Sequence, residues 1–263
     1  MGFEKIIYEV TDSIAYITMN YMKNLNAIDE QMADELTQAF DQADQDPEVK
    51  VVVLQGTDRA FSAGGDIGYF YDLIQAGGEV NMDGLISKVG ILADKIKRLS
   101  KMVITSVSGP AAGAGASLAL SGDFMICADN AKILLAFVNL GLCPDTGATY
   151  LLAKSIGSAR AMELAATGRP MDAQEALALG AAYKVVSKED LKDTVAAFAA
   201  KLAKGPLLSY RNIKKQVYDA CYADYTKWLA ETEVPTQREC AASEDFKEGC
   251  RAFMEKRKPH FGL

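Results

Sequence analysis

The 263-residue sequence contains a single histidine, His260, close to its last residue. A hydrolase that pairs a serine or cysteine nucleophile with a histidine base would have to use this one side chain. Chain ends fray in most proteins, so a terminal histidine is poorly placed for a fixed catalytic geometry. We therefore expect the acid–base chemistry of this chain to depend on carboxylates, tyrosines or backbone groups.

Cysteines are few and follow no spacing pattern. Five are present and none forms a C-x-x-C pair, which is typical of free thiols in a reducing compartment and disfavours a zinc site. No apolar run reaches the about 18 residues that a membrane span needs, and the start MGFEKIIYEV has no signal-peptide pattern. We expect a soluble, cytoplasmic protein without a metal.

Basic residues are also fewer than acidic residues. Lysine and arginine number 28 against 35 aspartates and glutamates, a net charge of −7. This balance disfavours binding to nucleic acid or anionic membranes, both of which need a basic surface. An anionic ligand would need a local basic patch instead.

The first 56 residues predict strand, strand, helix, strand. KIIYEV and SIAYIT are β-rich runs. In EQMADELTQAFDQA, the apolar residues Met32, Leu36 and Phe40 recur every four positions, as in an amphipathic helix, and Asp29 is placed to cap it. The continuous apolar run KVVVLQG is typical of a strand buried on both faces.

The remainder predicts a mixed α/β fold. Residues 84–100 form a helix, KMVITSV a strand, GAGASLALSG a small-residue helix, and DFMICAD and AKILLAF two strands. After Ser158 the pattern is helical apart from AAYKVV. We predict a core over residues 1–200 and a C-terminal helical region over residues 201–263.

Two strands are followed by glycine-rich segments that could approach a ligand closely. DRAFSAGGDIGYF follows KVVVLQG, and SGPAAGAGASLALSGD follows KMVITSV. A structural interpretation exists for each: Asp66 could cap a helix, and small residues could serve close packing. The second segment lacks the third glycine of a dinucleotide fingerprint and the G-K-[ST] of a phosphate loop.

A third segment, GLCPDTGATYLLAKSIG, places the carboxylate of Asp145 at the edge of apolar sequence. Asp145 could cap the helix that follows. It could also carry protons, because a helix N-terminus favours the ionised form whereas apolar surroundings favour the neutral form.

Together these segments resemble the crotonase (enoyl-CoA hydratase/isomerase) family. The resemblance rests on AFSAGGDI, SGPAAGAGASLALSGDFMICAD, GLCPDTGATYLLAKSIGSARAMELAATGRPMDAQEALALGAAYKVV and FMEKRKPHF, and covers essentially the whole chain. It implies a spiral of repeated strand–strand–helix units with a C-terminal helical trimerisation region. It also implies an acyl-CoA thioester substrate, no separate cofactor, and a homotrimer or dimer of trimers.

The resemblance also implies where a thioester would bind. The backbone N–H groups of Gly65 and Ala114 match the two donors that hold the thioester oxygen. The backbone from Ala63 to Ile67, including Asp66, would receive the adenine. Lys23 and the terminal Lys256, Arg257 and Lys258 are candidates for the CoA phosphates, or are equally solvated surface groups. Tyr69, Phe70 and Tyr71 would line or cover the acyl pocket from a mobile segment, or belong to the core.

The catalytic acids depart from those of the family's hydratases. Ser117 and Phe137 stand at the positions of the two hydratase glutamates, so ordinary hydration is disfavoured. Asp145 stands where the family's isomerases and some dehalogenases have an aspartate, and the mid-chain histidine of the dehalogenases is missing. We expect an acyl-CoA double-bond isomerase with one aspartate base. The alternatives are a hydratase, a decarboxylase or dehydratase, and a non-catalytic acyl-CoA-binding relative.

Overall fold

A computed structural model describes residues 2–77 and 80–262 and consists of two β-sheets surrounded by helices. The six-stranded sheet has the order β1-β2-β3-β4-β6-β9 and is parallel except for the β1–β2 hairpin. Its strands are β1 (Ile6–Thr11), β2 (Ile14–Met19), β3 (Val51–Gln55), β4 (Met102–Val107), β6 (Phe124–Ala128) and β9 (Lys184–Val186). A smaller sheet joins β5 (Pro110–Ala112), β7 (Lys132–Leu134) and β8 (Pro170–Asp172).

Twelve α-helices occur in the described ranges. They are α1 (Glu30–Gln45), α2 (Ile67–Gln75), α3 (Asp83–Arg98), α4 (Ala114–Ser121), α5 (Ala148–Ile156), α6 (Ser158–Thr167), α7 (Ala173–Ala178), α8 (Leu191–Ala203), α9 (Leu207–Cys221), α10 (Tyr225–Trp228), α11 (Val234–Ala241) and α12 (Glu244–Met254). Short 3₁₀ helices occupy Met22–Asn24 and Ala136–Leu140, and a π-helical turn, Leu229–Glu233, joins α10 to α11.

The central strand β3 is buried on both faces, which confirms the prediction from its apolar run. Val52 and Leu54 face the cluster formed with α1 and α3, whereas Val51 and Val53 face the cluster formed with α8. Alternate side chains of a strand point to opposite faces, so a strand between two helical layers must be apolar at every position. Asp29 caps α1 by accepting from the N–H of Met32, as predicted.

The smaller sheet brings together the two glycine-rich segments. The chain after β3 forms an isolated bridge between Ser62 and Ala111 in β5, and a second bridge joins Ile28 to Gly65. These pairings draw residues 62–65 alongside residues 111–114. Strands β5 (PAA) and β8 (PMD) were not predicted because each is short and contains no β-branched or aromatic residue.

The AKILLAF segment differs from its prediction as one strand. Only Lys132–Leu134 is a strand, and the 3₁₀ helix that starts at Ala136 turns Phe137 into the interior. A short apolar run does not distinguish a strand from a buried turn of helix.

The last helices pack against the same hydrophobic core as the sheet. Tyr225, Leu229, Phe246 and Cys250 are buried in the cluster that contains α1 and α3. Helix α9 instead leaves Leu208, Ile213 and other apolar residues exposed. The predicted oligomer stays a prediction. Within the described ranges, no helix has the length and apolar character needed to cross a membrane.

Candidate active site

A cavity of about 360 Å³ lies beside the junction of the two glycine-rich segments. It is lined by residues from six separate parts of the chain, between Ile28 and Pro259. Its side chains are mainly apolar, and they include Ile28, Phe70, Met82, Leu85, Phe137 and Leu142. An apolar cavity with a few polar groups is the usual form of a small-molecule site.

Two glycines with positive φ shape one wall of this cavity. Gly64 has φ +89°, and a methyl group there would lie 2.7 Å from the carbonyl oxygen of Ala112. Gly113 has φ +50°, and a methyl group there would lie 3.8 Å from the Cα of Gly64. The two segments are therefore in contact; Gly64 needs glycine for both its turn and its close approach, whereas Gly113 needs it for the positive φ.

The residues that follow these glycines present free N–H groups. Gly65 and Ala114 both line the cavity, and no residue in 2–77 or 80–262 accepts a hydrogen bond from either N–H. Ala114 opens helix α4, where the first N–H groups have no partner within the helix. Two free donors on one wall can stabilise a developing negative charge on a carbonyl oxygen.

Asp145 lies on the turn before α5, at the same cavity. Thr146 and Gly147 both have positive φ, +57° and +86°, so the chain reverses sharply after the aspartate. Helix α5 begins at Ala148 with Gly147 as its N-cap and no side-chain capping bond. The carboxylate of Asp145 therefore does not cap the helix, so the capping interpretation of its sequence is wrong, and its role in proton transfer stays a prediction.

The Asp145 carboxyl group is almost completely buried, with 8% of the residue exposed. Its Oδ2 accepts a 2.9 Å hydrogen bond from Nε2 of Gln237, and no salt bridge to Asp145 occurs among the described residues. Burial raises the pKa of Asp145 to about 7, although the side chains of Gln237 and then Thr146 act in the opposite direction. A carboxylate with this pKa can both take and return a proton near neutral pH.

A second buried carboxyl group, Glu233, lies near Asp145 and was missed by the sequence analysis. Its Oε1 accepts a 2.7 Å hydrogen bond from the N–H of Gly147, and its Oε2 has no partner among the described residues. Burial, and then the negative charge of Asp145, raise the pKa of Glu233 to about 9. Glu233 is therefore neutral at pH 7. Its side chain does not line the cavity.

The segment predicted to receive an adenine lies at the cavity. Ala63 and Ile67 line it together with Gly65. Asp66 is half-buried and caps α2: its Oδ1 accepts from the N–H of Tyr69 at 3.2 Å, and its Oδ2 accepts from Asn24 at 3.2 Å. The capping interpretation of Asp66 is thus confirmed.

The three aromatic residues of this segment have different surroundings. Phe70 lines the cavity and contacts Phe246 edge to face. Tyr69 is 60% exposed and lines a neighbouring groove. Tyr71 is half-buried against the core. All three belong to helix α2, and Gly78 and Glu79 of the segment predicted to be mobile lie outside the described residues.

Ser117 and Phe137, the two hydratase-glutamate positions, occupy different places. Phe137 lines the cavity, and its ring would lie 3.4 Å from a methyl group at Gly113. Ser117 is fully buried behind the wall and shares a 2.7 Å hydrogen bond with the hydroxyl of Thr146. The wall at these positions therefore carries no carboxylate.

The predicted phosphate-binding side chains lie at the surface. Lys23, Lys256 and Lys258 are exposed. Arg257 reaches the cavity wall, and its Nη1 donates a 2.5 Å hydrogen bond to Oε1 of Glu248. Arg257 is thus already paired within the protein, whereas none of the three lysines forms an ion pair with another described residue.

His260 is exposed, and its backbone N–H donates to Glu248 at 3.0 Å. Within residues 2–77 and 80–262, no group of three or more histidine, cysteine, aspartate or glutamate side chains is arranged to hold a metal ion.

Known proteins share both the sequence and this architecture. The sequence model of the enoyl-CoA hydratase/isomerase family matches residues 9–262. The chain is 34% identical over 261 residues to a trans-2-decenoyl-(acyl-carrier-protein) isomerase of Streptococcus mutans, and 36% identical over 262 residues to a probable enoyl-CoA hydratase of Rhodobacter capsulatus, covering 99% of each chain in both cases. It is 34% identical over 268 residues to a 1,2-epoxyphenylacetyl-CoA isomerase of Escherichia coli, covering 98% of each chain.

The fold matches a solved structure over its full length. An enoyl-CoA hydratase from Mycobacterium avium subsp. paratuberculosis superposes with a TM-score of 0.90 at 31% identity, covering 100% of both chains. The fold is therefore that of the crotonase superfamily, a class of enzymes. Within that class, the chain belongs to the enoyl-CoA hydratase/isomerase family, as its sequence motifs predicted.

Proposed function

We propose that this protein is an enoyl-thioester double-bond isomerase in which Asp145 is the single base. The observation that carries this proposal is that Asp145 is the one carboxylate on the cavity wall among the described residues. It lies in the same cavity as the free N–H groups of Gly65 and Ala114. A single carboxylate is sufficient for isomerisation because the proton leaves one carbon and returns to another.

The reaction would proceed through a dienolate. The thioester oxygen accepts hydrogen bonds from Gly65 and Ala114, while Asp145 removes a proton from the α-carbon of a 3-enoyl thioester. The electron pair of that C–H bond forms a double bond between the α-carbon and the carbonyl carbon. The negative charge moves to the thioester carbonyl oxygen. Asp145 then returns the proton to the γ-carbon, which leaves the double bond conjugated and the base ionised again. Removing one oxyanion donor from an enzyme typically costs about 3 kcal/mol.

Hydration is disfavoured by the composition of the wall. Adding water across a double bond needs a group that takes a proton from water and a group that protonates carbon. Ser117 is buried behind the wall and Phe137 presents an apolar ring. Glu233 is occupied by the N–H of Gly147 and does not line the cavity.

Two relatives support an isomerase through their names, one acting on a decenoyl group carried by acyl-carrier protein and one on a phenylacetyl-CoA epoxide. The apolar cavity suits a hydrocarbon acyl group. We propose that Lys23, Lys256 and Lys258 attract the phosphates of coenzyme A, and that the protein assembles as a homotrimer or a dimer of trimers.

The test is the ultraviolet absorbance of the conjugated thioester after the protein is added to a 3-enoyl-CoA. The Asp145→Asn variant is measured in parallel, with Asp58→Asn, an exposed loop carboxylate, as the control. A rise in absorbance that only Asp145→Asn loses supports the reaction and its base. A rise that Asp145→Asn keeps would contradict the role of Asp145. No rise, with the thioester still bound, would favour a different acyl substrate or a binding protein.

A further inference from the structure

We propose that Gln237 is a positioning residue that holds Oδ2 of Asp145 so that Oδ1 is the oxygen that carries the proton. This inference rests on the proposed function of the same site. Gln237 belongs to helix α11 and does not line the cavity. It therefore acts on the reaction through Asp145 rather than by contact with the substrate.

The hydrogen bonds distinguish the two oxygens of Asp145. Nε2 of the fully buried Gln237 donates to Oδ2 at 2.9 Å. Within residues 2–77 and 80–262, no group donates to Oδ1 in hydrogen-bonding geometry; the Thr146 hydroxyl donates to the backbone oxygen of Asp145 at 2.7 Å and lies close enough to lower the pKa of the carboxyl group. Since Asp145 lines the cavity, Oδ1 is the oxygen left free to accept a proton from a bound acyl group.

The orientation of the Gln237 amide is itself fixed. Its Oε1 accepts a hydrogen bond from the thiol of Cys143 at 3.3 Å. Burial raises the pKa of Cys143 to about 12, so this group remains a thiol donor at neutral pH. The Thr236 hydroxyl is a second, longer acceptor for the same thiol at 3.8 Å, so the shorter contact with Gln237 favours the orientation in which the amide directs its NH₂ group at Asp145.

The same helical segment also holds the backbone next to Asp145. Glu233 precedes Gln237 by four residues, about one helical turn, and accepts from the N–H of Gly147. One segment of chain thus holds both the Asp145 carboxylate and the turn that carries it. A π-helical turn at this point is consistent with a functional role, because such turns recur at functional sites.

The titratable groups around Asp145 contribute no compensating positive charge. Glu233 approaches from the π-helical turn, Cys143 from the same loop as Asp145, and Cys240 from α11 beside Cys143. Arg257 lies on the cavity wall from the segment after α12, but it is paired with Glu248. The neutral amide of Gln237 therefore stabilises the ionised form of Asp145 without being able to supply a proton itself.

The decisive experiment replaces Gln237 by Met, an unbranched side chain without a donor, and measures Asp145 directly. The titration of Asp145 is followed by ¹³C NMR of protein labelled at the aspartate carboxyl carbon, with Asp145→Asn identifying the signal. Isomerase kinetics are recorded across pH 5.5–9. Glu239→Gln, on the exposed side of the same helix, is the control.

We expect the Asp145 titration to move up by about one pH unit in Gln237→Met, because the ionised form loses its hydrogen bond. We expect kcat at pH 7 to fall about fivefold, as the ionised fraction of the base falls, with KM within twofold, since an interaction with the base rather than with the substrate is lost. Glu239→Gln should show neither change. An unmoved titration with unchanged kcat would overturn the proposal.

Two additions keep this test independent of folding and of the proposed function. Cys143→Ala leaves Gln237 in place but frees its amide, and we expect a smaller rise in the Asp145 titration, in the same direction. If one of the two variants folds poorly, the other still tests the proposal. An unchanged Asp145 titration in both Cys143→Ala and Gln237→Met would overturn it. If the unmodified protein isomerises no enoyl thioester, the proposed function fails, while the NMR titration still tests whether Gln237 holds Asp145.

Discussion

The backbone N–H of Gly147 donates a 2.7 Å hydrogen bond to Oε1 of Glu233, 86 residues further along the chain. This bond fixes the left-handed turn through Thr146 and Gly147 that directs Asp145 towards the cavity. It also places the buried carboxyl group of Glu233 near that of Asp145. Two adjacent carboxyl groups in an apolar site cannot both ionise at low cost, so one of them remains protonated.

The burial of Glu233 predicts a pH-dependent cost in stability. Its pKa rises from an ordinary value of 4.5 to about 9 on folding, so the folded state binds more protons than the unfolded state between these values. The free energy of unfolding therefore falls as the pH rises from 4.5 to about 9, because of this one carboxyl group. We expect Glu233→Gln, which keeps an acceptor for Gly147, to raise the free energy of unfolding at pH 8 by roughly 2 kcal/mol.

Urea unfolding at pH 5 and pH 8 checks this prediction. The gain from Glu233→Gln should be much smaller at pH 5, where the unfolded carboxyl group is also partly protonated. Glu239→Gln, an exposed neighbour, should show no comparable difference between the two pH values. An equal gain at both pH values would mean that Glu233 does not change its protonation on folding.

Local features of the sequence were sufficient to predict the site's backbone. The apolar run in β3 predicted a strand buried on both faces, and the segment around Gly64 and Gly65 predicted a helix capped by Asp66, whereas its close approach to a ligand stays a prediction. These predictions succeed because the physical requirement lies in the same few residues that signal it. A positive φ, for example, is met at Gly64 by glycine itself.

The groups that tune Asp145 could not be predicted in this way. Gln237 and Glu233 lie on helical sequence with no recognisable motif, and they meet Asp145 and Gly147 only after the chain folds back over some 90 residues. The capping interpretation of Asp145 was open for a similar reason. Whether a side chain turns towards a helix or a cavity depends on the backbone angles of Thr146 and Gly147, which the sequence does not specify.

The pKa of Asp145 predicts how the isomerase rate depends on pH. Burial raises this pKa to about 7, and the base must be ionised to accept a proton. We therefore expect kcat to rise from pH 5.5 to 8 with a midpoint near 7 and to level off above it. Initial rates measured in buffers of constant ionic strength, with circular dichroism to verify folding at each pH, check this. A midpoint near 4 would show that Asp145 is solvated in the working enzyme.

The adjacent glycines Gly64 and Gly65 should respond differently to the same substitution. Gly64→Ala places a methyl group 2.7 Å from the carbonyl oxygen of Ala112 at a positive φ, and we expect a loss of roughly 3 kcal/mol in stability. Gly65→Ala meets only the ring edge of Phe70, at 3.3 Å, and keeps its N–H donor. We expect it to cost less than about 1 kcal/mol and to retain isomerase activity. Thermal unfolding and initial rates test both, and equal effects would contradict the assignment of Gly64 as the constrained residue.

The basic residues after α12 should divide into a structural and a ligand-binding type. Arg257 is hydrogen-bonded to Glu248, whose side chain is only 5% exposed, and this bond holds the pKa of Glu248 at about 2. We expect Arg257→Ala to lower the melting temperature, because the buried carboxylate loses its shortest charged partner and keeps the N–H of His260 and the more distant Arg251.

Lys256→Ala, by contrast, should leave the melting temperature unchanged, since Lys256 is exposed. If Lys256 contacts a CoA phosphate, the KM for the CoA thioester rises about two- to fourfold in this variant, and the difference shrinks at high salt. The same substrate carried on N-acetylcysteamine, which has no phosphates, supplies the control, because its KM should be equal in both proteins. An unchanged KM for the CoA thioester would assign Lys256 to the solvated surface and leave the phosphates to other residues.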